Sequence, residues 1–245
     1  MKHFEENHRP LPADVIYHEG PCIVVNKAAG VATQAPIGIP SVEMLVRDYI
    51  REQEGKAKGD KFYLGIPHRL DRPVTGVLVF GRHVRATKRL ADQFAERSVE
   101  KSYWALVDTS AVDALEPTGT WRDWLRKVPG KAQVVVGQEG EDGAKHAVLH
   151  YEVGAVVDEN TTLLKIRLET GRTHQIRVQC ASRGLPILGD SQYGSTHSFG
   201  PQVEDPRRAA IALHARHLKF QHPMTREPVE ITANFPEYWP PEFVD

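Results

Sequence analysis

Two segments of the chain concentrate side chains that can perform acid–base or nucleophilic chemistry. Residues 67–76 have the sequence PHRLDRPVTG, and residues 171–177 have the sequence GRTHQIR. In the first segment Asp71 lies between Arg69 and Arg72, and nearby positive charges favour the ionised form of a carboxylate. An ionised and partly desolvated aspartate is a competent nucleophile. Asp71 is therefore the first candidate for a catalytic group.

An ordinary structural role must be weighed against this interpretation. An aspartate between two arginines is more often a surface ion pair or a loop cap. Pro67 and Pro73 bracket Asp71 and indicate a rigid loop, and loops held by a scaffold often carry functional residues. Arg177 follows Thr173 by one helical turn, so both side chains can point toward whatever the helix N-terminus faces. These features alone do not decide between the two roles.

Hydrophobic patterns and helix signals predict the elements that would position the two segments. The predicted strands are residues 22–25, 77–80, 101–107, 147–153, 162–169, 212–220 and 229–233. The predicted helices are one that starts after an N-cap at Ser41, one over residues 84–97, and one over residues 174–183 with Thr173 as N-cap and Gly184 as its stop. Residues 51–61 are predicted to be an exposed loop, and residues 108–143 a variable hairpin or loop. Strands outnumber helices, which favours an α+β fold with a mainly antiparallel mixed sheet and flanking helices over a doubly wound parallel one.

The length and charge of the chain limit its organisation more than its function. A chain of 245 residues can build one substantial core. We expect an N-terminal arm over residues 1–13 and a single catalytic domain over residues 14–245. The formal net charge of -1 neither supports nor excludes nucleic-acid binding, because phosphate contacts need a local basic face rather than a basic total.

The cysteines and the apolar runs predict the compartment. Cys22 and Cys180 suggest neither a disulfide framework nor a zinc site, which fits a reducing environment. The polar N-terminus lacks the apolar core of a signal peptide, and no apolar run is long enough to span a bilayer. We expect a cytoplasmic protein without a membrane segment, and a monomer that requires no protein partner.

The two reactive segments belong to a longer ordered set of motifs. The set consists of VVNKAAGV at residues 24–31, HRLD at residues 68–71 followed by Gly76, KSY at residues 101–103, and GRTHQIRV at residues 171–178 followed by Gly189-Asp190 and Tyr193-Gly194. Together these blocks resemble the signatures of the RluA-type RNA pseudouridine synthases. The resemblance extends from about residue 14 to about residue 236. Four ordered blocks are much more specific than any single tetrapeptide.

The resemblance implies a role for each matching residue. Asp71 matches the essential aspartate of the family, Tyr103 the tyrosine that stacks on the target uracil, and Arg177 the arginine that pairs with the aspartate. Arg69 matches the arginine that fills the gap in the RNA when the base swings out. Further RNA contacts are expected from His68, Arg72, Lys101 and Arg172, and from Arg85 and Arg89 on the predicted helix over residues 84–97. For the two histidines beside the motifs, His68 and His174, a hydrogen-bonded structural role is favoured over acid–base catalysis.

Two departures from the family pattern stand out. The family commonly has Thr-Ser-Gly where this chain has Val74-Thr75-Gly76. A hydroxyl survives at Thr75, so we expect the loop geometry to be kept. The family also often carries an N-terminal S4 RNA-binding domain, which we expect to be absent because the catalytic motifs begin almost at once.

The implied reaction isomerises uridine to pseudouridine in a structured tRNA or rRNA and needs no cofactor. The aspartate could attack C6 of the ring or C1′ of the sugar, or deprotonate the 2′ carbon, and the sequence does not choose among these. Two other functions are weighed against it: a catalytically silent RNA-binding relative, and a glycoside or nucleoside hydrolase with Asp190 or Glu169 as second carboxylate. His214, His217 and His222 lack the usual ligand spacing, so no metal site is expected.

Overall fold

A computed structural model describes residues 13–36, 38–57, 59–109, 112 and 115–244. The described residues form ten strands and three α-helices. In chain order the elements are β1 (Ala13–Glu19), β2 (Cys22–Lys27), α1 (Val42–Glu54), β3 (Thr75–Gly81), α2 (Val84–Ala95), β4 (Glu100–Asp108), β5 (Thr118–Lys127), β6 (Val134–Gly137), β7 (Lys145–Asp158), β8 (Thr161–Leu168), α3 (Gln175–Ala181), β9 (Leu213–Gln221) and β10 (Pro228–Thr232).

All ten strands belong to one mixed sheet. Its order is β1-β2-β3-β9-β4-β8-β7-β5-β6, and β10 pairs with β9 beside this path. Among the described strands, β3 and β9 form the parallel pair, through Thr75–Gly76 and His214–Ala215. The other pairs are antiparallel. The predicted α+β fold with a mainly antiparallel mixed sheet is therefore confirmed.

Strands β2 and β3 are continuous apolar runs because both of their faces are covered. Ile23 of β2 and Leu78 of β3 belong to the main core, which also contains the buried side of α1. Val24 and Val79 face the other way and join a second core with Leu90 of α2. The part of the sheet that follows residues 67–76 is thus packed between α1 and α2.

The predicted ends of the first two helices were wrong. Residues 51–54, predicted as loop, are the last turn of α1, which ends where Gly55 adopts a left-handed conformation with φ 63°. Their charged side chains lie on the solvent side of the helix while Ile50 is buried, so charge indicated an exposed face rather than a loop. Helix α2 ends at Ala95 instead of residue 97, because Arg97 has a φ of 61°.

The start of α3 also differs from the prediction. The N-cap is His174, with a φ of 52°, and not Thr173. The side-chain oxygen of Gln175 accepts hydrogen bonds from the backbone N–H of Arg172 at 3.0 Å and from the Thr170 hydroxyl at 2.8 Å. This glutamine therefore holds the turn that a threonine cap was expected to hold.

Residues 108–143 were predicted to be a hairpin or loop, and their described part contains a hairpin that extends the sheet. Strand β5 pairs with β6 and, along most of its length, with β7. Of the predicted arm, residues 1–12 lie outside the described residues, whereas Ala13 already pairs with Lys27 in the sheet. In the described part of the chain, no helix has the length and apolar character needed to cross a membrane.

Gly76 is the position where the fold depends most directly on the absence of a side chain. It has a φ of 110°, and a Cβ there would overlap the backbone of Ala215 on the parallel neighbour β9.

We predict that Gly76→Ala lowers the free energy of unfolding by about 2 kcal/mol or more beyond the loss in Gly143→Ala. Gly143 has a φ of 72° with open space around it, so alanine there meets only the left-handed backbone penalty of about 1 kcal/mol. Urea unfolding of both variants measures the difference. Equal losses would show that the close approach to β9 is not constraining.

Candidate active site

Hydrogen bonds hold the backbone both before and after Asp71. On the preceding side, the buried Thr33 hydroxyl donates to the carbonyl oxygen of Leu70 at 2.9 Å and accepts from the Leu70 N–H at 3.1 Å. On the following side, the hydroxyl of Thr75 lies 2.7 Å from Nδ1 of His214. Val74 is buried in the core, so the valine at this position packs where the family commonly has a hydroxyl.

Lys27 on β2 holds the backbone that follows Asp71. Its side chain is buried, and its ammonium group donates to the carbonyl oxygens of Ala28, Arg72 and Val74 at 2.8, 3.0 and 2.7 Å. All three N–H groups thereby have acceptors. Burial lowers the pKa of Lys27 to about 7, against the opposing effect of the Asp71 charge.

Arg177 on α3 is the centre of the ionic network. Its Nε and Nη2 donate to the two carboxylate oxygens of Asp190 at 2.7 and 2.8 Å, and Nη2 also donates to Gln192 at 2.9 Å. The remaining nitrogen, Nη1, lies 3.4 Å from a carboxylate oxygen of Asp71. The ring of Tyr193 packs against the guanidinium, 4.9 Å from its centre.

The side chains of this network differ in their exposure to solvent. The side chains of Arg177 and Asp190 are 5% and 1% exposed, whereas that of Asp71 is 29% exposed. Burial acts to lower the pKa of Arg177, but the hydrogen bonds and charge of Asp190 and the charge of Asp71 outweigh it and raise the pKa. The result is a fixed cation that presents one N–H toward a carboxylate accessible from outside.

Asp71 opens onto a cavity of about 540 Å³ that it lines together with Tyr103. An adjoining cavity of about 100 Å³ is lined by the same two residues and by Arg177 and His174. Burial and the Asp71 charge raise the pKa of the Tyr103 phenol, so it remains protonated. The volume lies within the range of ordinary small-ligand sites, and a single extruded nucleotide is of that class.

His174 contacts the same carboxylate more loosely. Its Nε2 lies 3.8 Å from Asp71, and its Nδ1 is 2.8 Å from the hydroxyl of Tyr193. Burial lowers the pKa of His174, although the Asp71 charge opposes the shift. The imidazole of His174 is therefore largely neutral, and it lies between the hydroxyl of Tyr193 and the carboxylate of Asp71.

The sequence of this chain is similar to those of known proteins. A profile of the RNA pseudouridylate synthase family matches residues 21–182. The ribosomal large subunit pseudouridine synthase D of Xylella fastidiosa is 34% identical over 233 residues, which cover 93% of this chain and 67% of that protein. The chain belongs to the RluA-type RNA pseudouridine synthases. Members of this family are isomerases that convert uridine in RNA into pseudouridine.

Other relatives of this pseudouridine synthase vary in the RNA they are named for. The tRNA pseudouridine synthase C of Haemophilus influenzae is 29% identical over 231 residues, which cover 92% of this chain and 94% of that protein. Among solved structures, the human RNA pseudouridylate synthase domain containing 4 superposes with a TM-score of 0.71 at 21% identity, covering 92% of this chain and 89% of that one. That likeness establishes the shared fold.

The structure places the residues predicted to bind RNA in two groups. The synthase cavity is lined by Arg69, His68, Lys101 and Arg172. Outside the lining lie Arg72, Arg85 and Arg89. Arg72 supplies its carbonyl oxygen to Lys27, the guanidinium of Arg89 donates to the carbonyl oxygen of Pro223 at 2.5 Å, and Arg85 is exposed on α2.

His68 has a structural position within the segment that carries Asp71. Its Nε2 accepts the backbone N–H of Val79 at 3.0 Å, and its ring stacks on Phe94. Burial and the neighbouring charge of Lys101 lower the pKa of His68 to about 3. The imidazole is therefore neutral and holds Asp71's segment against β3.

Three residues of the network were not predicted to act in the site. Asp190, Gln192 and Tyr193 surround Arg177, and Tyr193 also accepts the backbone N–H of Val134 at the start of β6. Asp190 and Tyr193 belong to the motif that follows GRTHQIRV, which was the available signal. Both oxygens of Asp190 are engaged by Arg177, which leaves neither for the second carboxylate of a hydrolase.

The histidines weighed as metal ligands have separate partners. His214 bonds to Thr75, His217 lies 2.9 Å from Glu230, and His222 accepts the N–H of Thr225. Over the described ranges, no group of three or more metal-binding side chains is found.

We predict that Asp190→Ala lowers the free energy of unfolding by about 3–5 kcal/mol, because it leaves the guanidinium buried without its counter-ion. The matched variant Asp71→Ala should change it by less than about 1 kcal/mol, because this carboxylate is partly exposed and more distant. Guanidinium unfolding monitored by circular dichroism measures both. A larger loss in Asp71→Ala would show that Asp71, rather than Asp190, anchors the arginine.

We predict that the free energy of unfolding of the wild-type chain rises with pH between about 7 and 9.5, relative to Lys27→Met. Since the folded-state pKa of Lys27 lies near 7 and that of a free lysine near 10.4, the unfolded chain binds more protons over this interval. Denaturant titrations at several pH values, with the exposed Lys145→Met as control, measure the difference. Parallel curves for wild type and Lys27→Met would contradict the shift.

Proposed function

We propose that this chain isomerises a uridine within a structured tRNA or rRNA to pseudouridine, with Asp71 as the catalytic carboxylate. The observation that carries the proposal is the contact of Arg177 with a partly exposed Asp71 at the wall of a cavity that also contains Tyr103. The Arg177 side chain is held by Asp190 and Gln192, and the backbone on both sides of Asp71 is held by Thr33 and Lys27.

The reaction needs only what this cavity offers. The bond between C1′ and N1 of the uracil breaks, the ring rotates, and C1′ joins C5. The proton on C5 is lost to water and N1 gains one, so the product has the same composition as the substrate. Asp71 acts at the reacting nucleotide, and the fixed guanidinium of Arg177 keeps its carboxylate oriented and charged.

Tyr103 and Arg69 are assigned to the extruded base and to the space it leaves. Extrusion of a base costs a few kcal/mol of stacking and pairing, and stacking on an aromatic ring returns about 1–3 kcal/mol. Tyr103 lines both cavities beside Asp71. Arg69 is exposed at the mouth of the same cavities, where its guanidinium can enter the RNA stack.

The proposal extends to the setting of the reaction. The chain acts as a monomer in the cytoplasm, in the same compartment as the RNA. Both cysteines, Cys22 and Cys180, are buried and free, as suits a reducing compartment. Light scattering of the purified protein, alone and with RNA, tests the monomer.

We predict that Asp71→Asn abolishes tritium release from RNA labelled at C5 of uridine, while its affinity for the same RNA stays within about tenfold, because phosphate contacts dominate binding. Unmodified transcripts of tRNA and large-subunit rRNA are assayed separately. The exposed Asp142→Asn serves as the matched control and retains activity.

The assay separates the alternatives. A synthase releases tritium while the base stays attached to the sugar, a hydrolase liberates free uracil, and a silent RNA-binding protein does neither. Tritium release that persists in Asp71→Asn, or free uracil from the wild-type chain, overturns the proposal.

A further inference from the structure

Lys101 is a largely buried lysine that has no counter-ion among the residues that the structure describes. It lies on β4 two residues before Tyr103, its exposure is 9%, and it lines the cavity. Within the described ranges, no hydrogen bond or ion pair reaches its Nζ. The ammonium lies close to the turn before α3, since a Cβ on Gly171 would be 3.7 Å from Nζ.

The charges around Lys101 are positive rather than compensating. Burial and the charge of Arg97 both lower the pKa of Lys101. The carboxylates of the cavity wall are engaged elsewhere: Asp71 with Arg177, and Glu169 with Arg97 at 3.1 Å and with His150 at 3.6 Å. A largely buried cation without a paired anion is less stable than one that has a counter-ion, so the cavity wall at Lys101 favours a negatively charged group on the substrate.

Arg97 occupies a position where an arginine is conformationally unfavourable. It follows the cap of α2 with a φ of 61°, and the N–H of Ser98 bonds to the carbonyl of Gln93 while that of Arg97 bonds to the carbonyl of Phe94. Glycine is the usual residue at this position of such a helix end. The side chain lines the cavity, and its exposed pair with Glu169 is weak enough to exchange for a stronger anion.

We propose that Lys101, with Arg97 beside it, forms an anion subsite that binds a backbone phosphate of the uridine nucleotide entering the cavity. This inference rests on the proposed function, because it takes the cavity to receive the extruded nucleotide. A phosphodiester supplies a full negative charge and accepts several hydrogen bonds, whereas the uracil carbonyls are neutral. The subsite would hold the nucleotide by its backbone while Asp71 and Tyr103 act on its sugar and base.

Binding measurements that remove either the positive charge of the protein or the negative charge of the RNA backbone test the subsite. The probes are fluorescent hexauridylate, whose bases need no extrusion from a helix, and the same hexamer with a neutral methylphosphonate backbone. Binding of both is measured by anisotropy for the wild type, Lys101→Met and Arg97→Gly. The exposed Lys165→Met, whose lysine pairs with Glu152, is the control.

Lys101→Met should weaken binding of the phosphodiester by roughly 10- to 100-fold, the range of a hydrogen bond between charged groups, and change binding of the methylphosphonate less than about twofold. The slope of log affinity against log salt should fall by about one. Equal weakening for both probes, or no weakening, overturns the subsite.

Arg97→Gly supplies a second and independent test. Because glycine relieves the left-handed backbone, the variant should melt at the same or a higher temperature than the wild type, yet bind the phosphodiester more weakly. A lower melting temperature with unchanged binding would make Arg97 structural and exclude it from the subsite. Tritium release by the wild type is measured in parallel and distinguishes the two proposals. Its absence counts against the isomerase activity, whereas the binding measurements alone decide the subsite.

Discussion

The site depends on how one guanidinium divides its hydrogen bonds. Arg177 gives two nitrogens to the buried Asp190, one of which also bonds to the exposed Gln192, and has one left for Asp71 at the cavity wall. A bidentate pair of this kind fixes orientation as well as charge. The proposed catalytic carboxylate, Asp71, can therefore be accessible and still face a guanidinium of fixed orientation, because the rigidity lies in Arg177.

The backbone around Asp71 meets the same requirement from the other side. Thr33 holds the residue before it, Lys27 the carbonyls after it, and His214 the hydroxyl of Thr75. Lys27 and Thr33 are close to each other in the sequence, whereas His214 lies 139 residues after Thr75. The close approach of Gly76 to β9 brings the hydroxyl of Thr75 next to His214. The sheet acts here as a frame for a short segment of irregular backbone.

How much of this was predictable differs from residue to residue. The pattern of alternating residues placed Tyr103 on its strand, and the motifs brought Asp71 and Arg177 to the same site. The Gly189-Asp190 motif marked Asp190 as notable, but its pairing with an arginine thirteen residues away was missed, because no spacing rule links the two positions. The cap of α3 was also missed, since the Gln175 side chain replaced the usual hydroxyl. The first error concerns a tertiary ion pair, whereas the second concerns a local bond between Gln175 and Arg172 that uses an amide in place of the common hydroxyl or carboxylate.

The most direct test of the account is a crystal structure of Asp71→Asn bound to an unmodified RNA that the wild-type chain isomerises. The account predicts one uridine swung out of the RNA, its uracil against Tyr103, its sugar beside the substituted position 71, and Arg177 still bonded to Asp190. A complex in which the RNA lies on another face and the cavity holds no nucleotide would contradict it.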